Sequence, residues 1–368
     1  MSKPAEKIHE PLFHIAKRDA LVWWKAWLVR GVSILIALIC CAFVIVMLTD
    51  LNPLEIYSAL FKGALGSSRK VWMTLQETAI LLCISLAVTP AFKMKFWNIG
   101  AEGQVLIGGL ATAACMILIG DKLPTPLMIL VMIIASVVAG VIWAVIPAFF
   151  KANWNTNETL FTLMMNYVAI QVISFFTTIW ENPKGSATIG VINPNSQAGW
   201  LPSLFGQKYL LNIIIVVVMA IGLYIYLKYN KHGYEIAVVG ESENTARYVG
   251  MNVKKVIIRT MALSGALCGV AGLLLVAGTD HTITTGTAGG QGFTAIMVSW
   301  LAKFNPLVMM FTSFIIVFLE RGAGQIATSF RLNESISEIL TGIILFFIIG
   351  CEFFVNYQIK FRSKHKEG

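Results

Sequence analysis

Hydrophobic runs of about twenty residues, each closed off by a short polar or basic cluster, recur along the chain at the length needed to cross a bilayer as helix. They predict crossings near 29–49, 71–92, 98–119, 127–149, 157–180, 209–227, 258–279, 284–302, 304–319 and 336–356, about ten in all. The cleanest is Gly31 to Leu48, eighteen residues without a charge between Arg30 and Asp50. Two are poor helices at one end. The third begins in "FWNIGAEGQVLIGG" (96–109), and the eighth is preceded by "TITTGTAGGQGF" (282–293). These weak places correspond: an offset of 187 lays Ala101-Glu102-Gly103-Gln104 over Ala288-Gly289-Gly290-Gln291, and carries 71–92 onto 258–279. Partner segments five crossings apart run in opposite directions, so the pattern predicts an all-α, polytopic membrane protein with an inverted repeat.

Composition supports this reading and removes others. The 368 residues are 57% hydrophobic and 13% charged, with a mean hydropathy of +0.74, which excludes an ordinary water-soluble domain. A net charge of +9 would suggest nucleic acid in a soluble protein, but here the basic residues gather at the ends of apolar runs, so no nucleic-acid partner is expected and membrane lipid is the surrounding. With the N-terminus inside, 20 of the 28 Lys and Arg fall on cytoplasmic segments. Charge bias therefore predicts a multi-pass membrane protein: cytoplasmic tails at 1–28 and 357–368, and a membrane domain at 29–356. No small-residue cleavage site follows the first span, which reads as a retained helix. Six cysteines lie inside apolar runs without CxxC spacing or neighbouring histidines, so neither disulfides, a metal nor a cofactor is expected.

Three polar stretches carry the candidate chemistry. Non-helical backbone survives at membrane depth only where protein or water satisfies it. Asn98, Gly100, Glu102, Gly103 and Gln104, with Gly290 and Gln291 in the corresponding break, are thus candidates for a translocation pathway, Glu102 foremost because a carboxylate in a span is costly. The alternative is that this stretch is only the cytoplasmic mouth of a span, with Glu102 paired to Lys93 or Lys95 in water. In "NTNETLFTLMMNYVAIQ" (155–171), Glu158, Thr162 and Asn166 are spaced by four and share a helix face, with Asn155 and Thr159 to either side. That face is turned to a pathway or a neighbouring helix; equally, Asn155 to Thr159 form an N-cap and Asn166 a bond between helices. The third stretch is the longest cytoplasmic loop, 228–259, in which "ENTARYVG" reads as a short helix closed by Gly250. Ala246 and Gly250 predict a small-residue face for close approach, and Glu243 and Arg247 an i,i+4 pair. Its plain alternative is a polar hairpin between spans.

Taken together, "FWNIGAEGQVLIGG" (96–109), "NETLFTLMMNY" (157–167), "ARYVGMN" (246–252) and "GFTAIMVSWLAKFNP" (292–306) resemble the permease subunits of ABC importers. The group is the one serving branched-chain amino acids, simple sugars and nucleosides, and the nearest branch is the nucleoside type that works with basic-membrane-lipoprotein-like binding proteins. The resemblance runs from about residue 30 to 356. Ser299, Trp300 and Ala302 depart from the alanine, leucine and glycine expected there. The resemblance implies import of a small polar solute, a nucleoside first, with a simple sugar or riboflavin as alternatives. It implies two cytoplasmic ABC ATPase subunits, a second permease (a second copy or a related chain) and an extracytoplasmic solute-binding protein. It also makes the loop bearing Glu243, Ala246, Arg247 and Gly250 the ATPase-coupling element. No GxxxxGK[ST] occurs in the chain, so ATP hydrolysis belongs to other subunits and no catalytic residue is expected. An ion-driven secondary transporter would also suit inverted repeats and Glu102. A membrane-embedded enzyme would need a nucleophile and base in the membrane, and only the Asp280–His281 pair near a span end comes close.

Overall fold

The computed structural model describes residues 13–17, 23–48, 52–331 and 334–361. It is almost wholly helical: α1 Trp23–Leu48, α2 Pro53–Leu65, α3 Ser68–Lys93, α4 Ala101–Ile119, α5 Thr125–Trp154, α6 Glu158–Ile179, α7 Leu210–Tyr229, α8 Lys231–Glu241, α9 Glu243–Tyr248, α10 Val253–Leu275, α11 Gln291–Leu301, α12 Pro306–Phe330 and α13 Glu334–Asn356. Among the described residues eight helices are long and apolar enough to cross a membrane, and α13 carries a shorter apolar stretch, Ile339–Val355. The predicted crossing at 284–302 is only half helix. Its α11 has 11 residues, which at 1.5 Å per residue span about 16 Å of a hydrocarbon core about 30 Å thick. The polarity of residues 282–290 is the cause, since no apolar run is available to extend the helix.

The chain forms two compact units, residues 1–64 with 319–368, and residues 65–318. In the first, α1 packs on α13, with Ser33 Oγ donating to the Phe347 carbonyl at 2.8 Å. Neither α2 nor a strand pair was expected from the hydrophobic pattern. Strand β1, Phe13–Lys17, pairs antiparallel with β2, Tyr357–Phe361, from Phe13 opposite Phe361 to Lys17 opposite Tyr357. β1 precedes the first span and β2 follows the last. The tail residues Arg362, Lys364 and Lys366 lie outside the described residues.

In the second unit α10 is central, packed against α3, α4 and α5. Small residues make this possible: a Cβ on Gly108 would lie 2.6 Å from the Gly269 Cα, and one on Gly272 would lie 2.5 Å from the Gly109 nitrogen. Helices in lipid gain no hydrophobic drive from one another, so such backbone approach supplies the association. Side-chain caps set the helix starts, with Asn157 Oδ1 accepting from Leu160 N–H at 3.1 Å on α6 and Asn252 Oδ1 from Lys255 N–H at 3.1 Å on α10. The offset of 187 holds at the level of elements, carrying α3 onto α10 with its π-helical extension Val276–Asp280, and α4 onto α11.

Candidate functional site

The break between α3 and α4 is built by local bonds. Lys95 adopts a left-handed conformation (φ 60°), and Phe96 N–H reaches back to the Ala91 carbonyl at 3.0 Å, closing α3 as glycine usually does. Asn98, fully buried, then organises the turn. Its Oδ1 accepts from Gly100 N–H at 3.0 Å and Gln104 Nε2 at 3.2 Å, while its Nδ2 donates to Ser264 Oγ on α10 at 3.2 Å.

The next layer comes from α6. Thr162 Oγ1 accepts from Ile99 N–H at 3.1 Å. Asn166 serves both polarities, its Oδ1 accepting from Gly103 N–H at 2.8 Å and its Nδ2 donating to the Ile99 carbonyl at 2.9 Å. Orphan groups at the start of α4 are thereby satisfied away from water. Gly103 is needed for this approach, because a Cβ there would fall 2.9 Å from Asn166 Oδ1 and 3.1 Å from its Cα.

The Glu102 side chain, in the first turn of α4, reaches to another element. Its carboxylate accepts from Gly290 N–H at 2.8 Å through Oε1 and from Gly292 N–H at 2.8 Å through Oε2, so it caps the N-terminus of α11, where the helix dipole favours a negative charge. Gly290 is left-handed (φ 75°), and a Cβ on Gly292 would lie 2.6 Å from the Glu102 nitrogen. The two Gly-interrupted segments therefore meet, joined by one buried carboxylate. Aromatic rings meet beside them: Trp97, in the first break, and Trp300, near the end of α11, have centroids 5.9 Å apart.

Asn98, Gly100, Glu102, Gly103, Gln104, Asn166 and Gly290 thus form one constellation. Gln291 begins α11 with its Oε1 buried and without a partner among the described residues. Glu158 stands apart, in an ion pair with Lys151 at 3.0 Å. Sequence reasoning missed Gly292 and Ser264; the glycines at 289, 290 and 292 were the available signal for the first, and nothing marked the second.

On the loop between α7 and α10, Ser242 Oγ accepts from Thr245 N–H at 3.2 Å to start α9, and Met251 N–H returns to the Ala246 carbonyl at 3.0 Å around left-handed Gly250 (φ 83°). Glu243 and Arg247 pair at 3.5 Å on the surface. The expected small-residue face is not there: Ala246 is fully buried, whereas no atom lies within 4 Å of a Cβ placed on Gly250. A six-residue helix must spend one face on its own support. The surface it offers is Tyr248, 93% exposed, and Val249, which sequence reasoning passed over. Behind it, α8 sets Gly240 against the last turn of α3, where a Cβ would lie 3.2 Å from the Met94 Cα, directly before the Trp97–Gly103 break.

Comparison with known proteins agrees with this architecture. A glucose ABC transporter permease protein of Haloferax volcanii is 28% identical over 91% of this chain and 90% of its own length. A nucleoside ABC transporter permease protein of Lactococcus lactis subsp. cremoris is 27% identical over 83% of this chain and 86% of its own. A guanosine ABC transporter permease protein of Bacillus subtilis matches equally well, at 27% over 83% and 86%. Residues 71–349 match the family described as the branched-chain amino acid transport system, permease component. With most of its length inside that match, the chain belongs to this family of transport permeases.

Proposed function

We propose that this chain is the membrane permease subunit of an ATP-driven importer, and that it forms the path for a small polar solute, a nucleoside. The observation that carries the reading is the Glu102 cap, which ties two helix breaks together. Discontinuous helices in corresponding positions of two repeats are a mark of transporter folds. The asymmetry of Lys and Arg supports cytoplasmic termini. On that orientation α9 faces the cytoplasm, and Tyr248 and Val249 are the surface on which an ABC ATPase seats. Through Gly240 on α8, movement of that surface reaches the end of α3 and the break itself. A second permease subunit and an extracytoplasmic solute-binding protein complete the assembly.

The nucleoside reading is supported by the nucleoside and guanosine permeases among the relatives. A sugar is the second reading, favoured by the likeness to a glucose permease. Uptake into vesicles bearing the complete complex distinguishes them: labelled guanosine or adenosine should accumulate with ATP and the ion gradients collapsed, and excess glucose should not compete. Uptake that dies with the gradients, or competes with glucose alone, refutes the reading.

A further inference from the structure

The side of α6 that faces away from the helix break carries a second polar stripe. Tyr167, Gln171, Ser174 and Thr178 fall at i, i+4, i+7 and i+11, so they share one face, and all four are exposed. No comparable stripe occurs on the outward faces of α5 or α7. On α5 the exposed residues from 127 to 150 are Leu127, Leu130, Ile133, Ile134, Val138, Ile142, Phe149 and Phe150, and on α7 those from 210 to 227 are Ile214, Val218, Ile221, Gly222 and Ile225. Those faces suit lipid. Thr178 Oγ1 is satisfied within the helix, donating to the Ser174 carbonyl at 3.1 Å, but the exposed carboxamide and phenol do not suit lipid, because hydrocarbon offers Gln171 no hydrogen-bond partner. At 1.5 Å per residue, Tyr167 and Gln171 also lie within about 4 Å of the midpoint of α6 along its axis, the depth at which transporters hold solute.

We propose that this outward stripe of α6 lines the aqueous solute path, and that Gln171 and Tyr167 are its solute-contacting residues at the midplane. The inference rests on the importer reading above and narrows its substrate. A carboxamide presents a donor beside an acceptor, which matches the hydrogen-bonding edge of a nucleobase. A phenol ring with 60% of its residue exposed offers a stacking surface for the base plane. The solute class is therefore a planar heteroaromatic ring with adjacent donor and acceptor. Glu158, Thr162 and Asn166, on the other side of the same helix, hold the fold.

The test uses the complete complex in proteoliposomes. Gln171→Cys and Ser174→Cys should react with a charged, water-soluble methanethiosulfonate at least tenfold faster than Ile134→Cys and Val138→Cys on α5, after subtraction of the wild-type rate. Equal, slow labelling of all four overturns the proposal, as does disulfide cross-linking of two permeases through position 171 without reagent access, which would mark a dry interface. Gln171→Leu should lower maximal nucleoside uptake about tenfold while binding-protein-stimulated ATP hydrolysis persists. Unchanged uptake overturns the solute contact, since leucine would be harmless on a lipid face. If the wild type imports no nucleoside, the substrate reading fails by itself, and the α6-against-α5 labelling contrast still decides whether the stripe lines water.

Discussion

Replacing Glu102 by alanine should free the N-terminus of α11. The carboxylate accepts two backbone N–H bonds, each 2.8 Å long, from a buried position. A hydrogen bond to a charged group contributes about 1.5–3 kcal/mol, and Gly290 and Gly292 would be left with unpaired donors. Two such bonds give about 3–4 kcal/mol when the lower part of that range is taken, because repacking and water entry recover some of the loss. Since 1.4 kcal/mol is a factor of ten, amide hydrogen exchange across 290–294 should accelerate about 10²- to 10³-fold in Glu102→Ala, with exchange in α5 unchanged. Glu102→Gln keeps one acceptor oxygen but turns an NH₂ toward the second N–H, so its effect should lie between. Hydrogen-exchange mass spectrometry of the protein in nanodiscs reads both variants. Exchange at 290–294 within threefold of wild type in Glu102→Ala would refute the capping role, and with it the idea that one carboxylate joins the two breaks.

Gly103→Leu should fail to assemble rather than merely transport poorly, because its side chain would displace the Asn166 backbone; well-folded, inactive protein on size-exclusion chromatography would contradict this. Tyr248→Ala should leave folding intact and abolish stimulation of ATP hydrolysis by loaded binding protein, whereas Ala246→Trp should lower thermal stability, since Ala246 has no free surface. Burial, and then the Arg259 guanidinium, hold the His232 imidazole below its ordinary range, between Tyr226 Oη at 2.6 Å and Thr260 Oγ1 at 3.2 Å, with Glu235 near Arg259. A histidine depressed on folding stabilises fully above its unfolded pKa of about 6.5 and loses that contribution as pH falls through the folded value. Exchange in α8 should therefore rise on acidification below about pH 6.5, and His232→Gln should remove that pH dependence. Reporter fusions at Lys231 and Lys364 should both read cytoplasmic; opposite signals would contradict the topology that charge bias predicts.

Much of the architecture is a consequence of the sequence alone. A run of about twenty apolar residues has few options other than a membrane helix, so spans such as Leu28–Met47 and Leu210–Tyr229 were legible with nearly correct ends. The helix breaks at 98–100 and 282–290 were legible for the complementary reason, that glycine and polar side chains cannot sustain a lipid-facing helix. The short helix closed by Gly250 followed from its capping residues. Tertiary structure decided what each face of a span meets. In water the apolar face of a helix is the buried one, but in a bilayer both lipid and core are apolar, so polarity does not tell inside from outside. Thr162 and Asn166 therefore turned inward to complete a helix break, while Gln171 and Ser174 stayed outside. Glu102 found its partners 188 and 190 residues away, and Ala246 vanished beneath the helix that carries it. Such pairings depend on which segments fold against one another, and no local pattern in the chain encodes that.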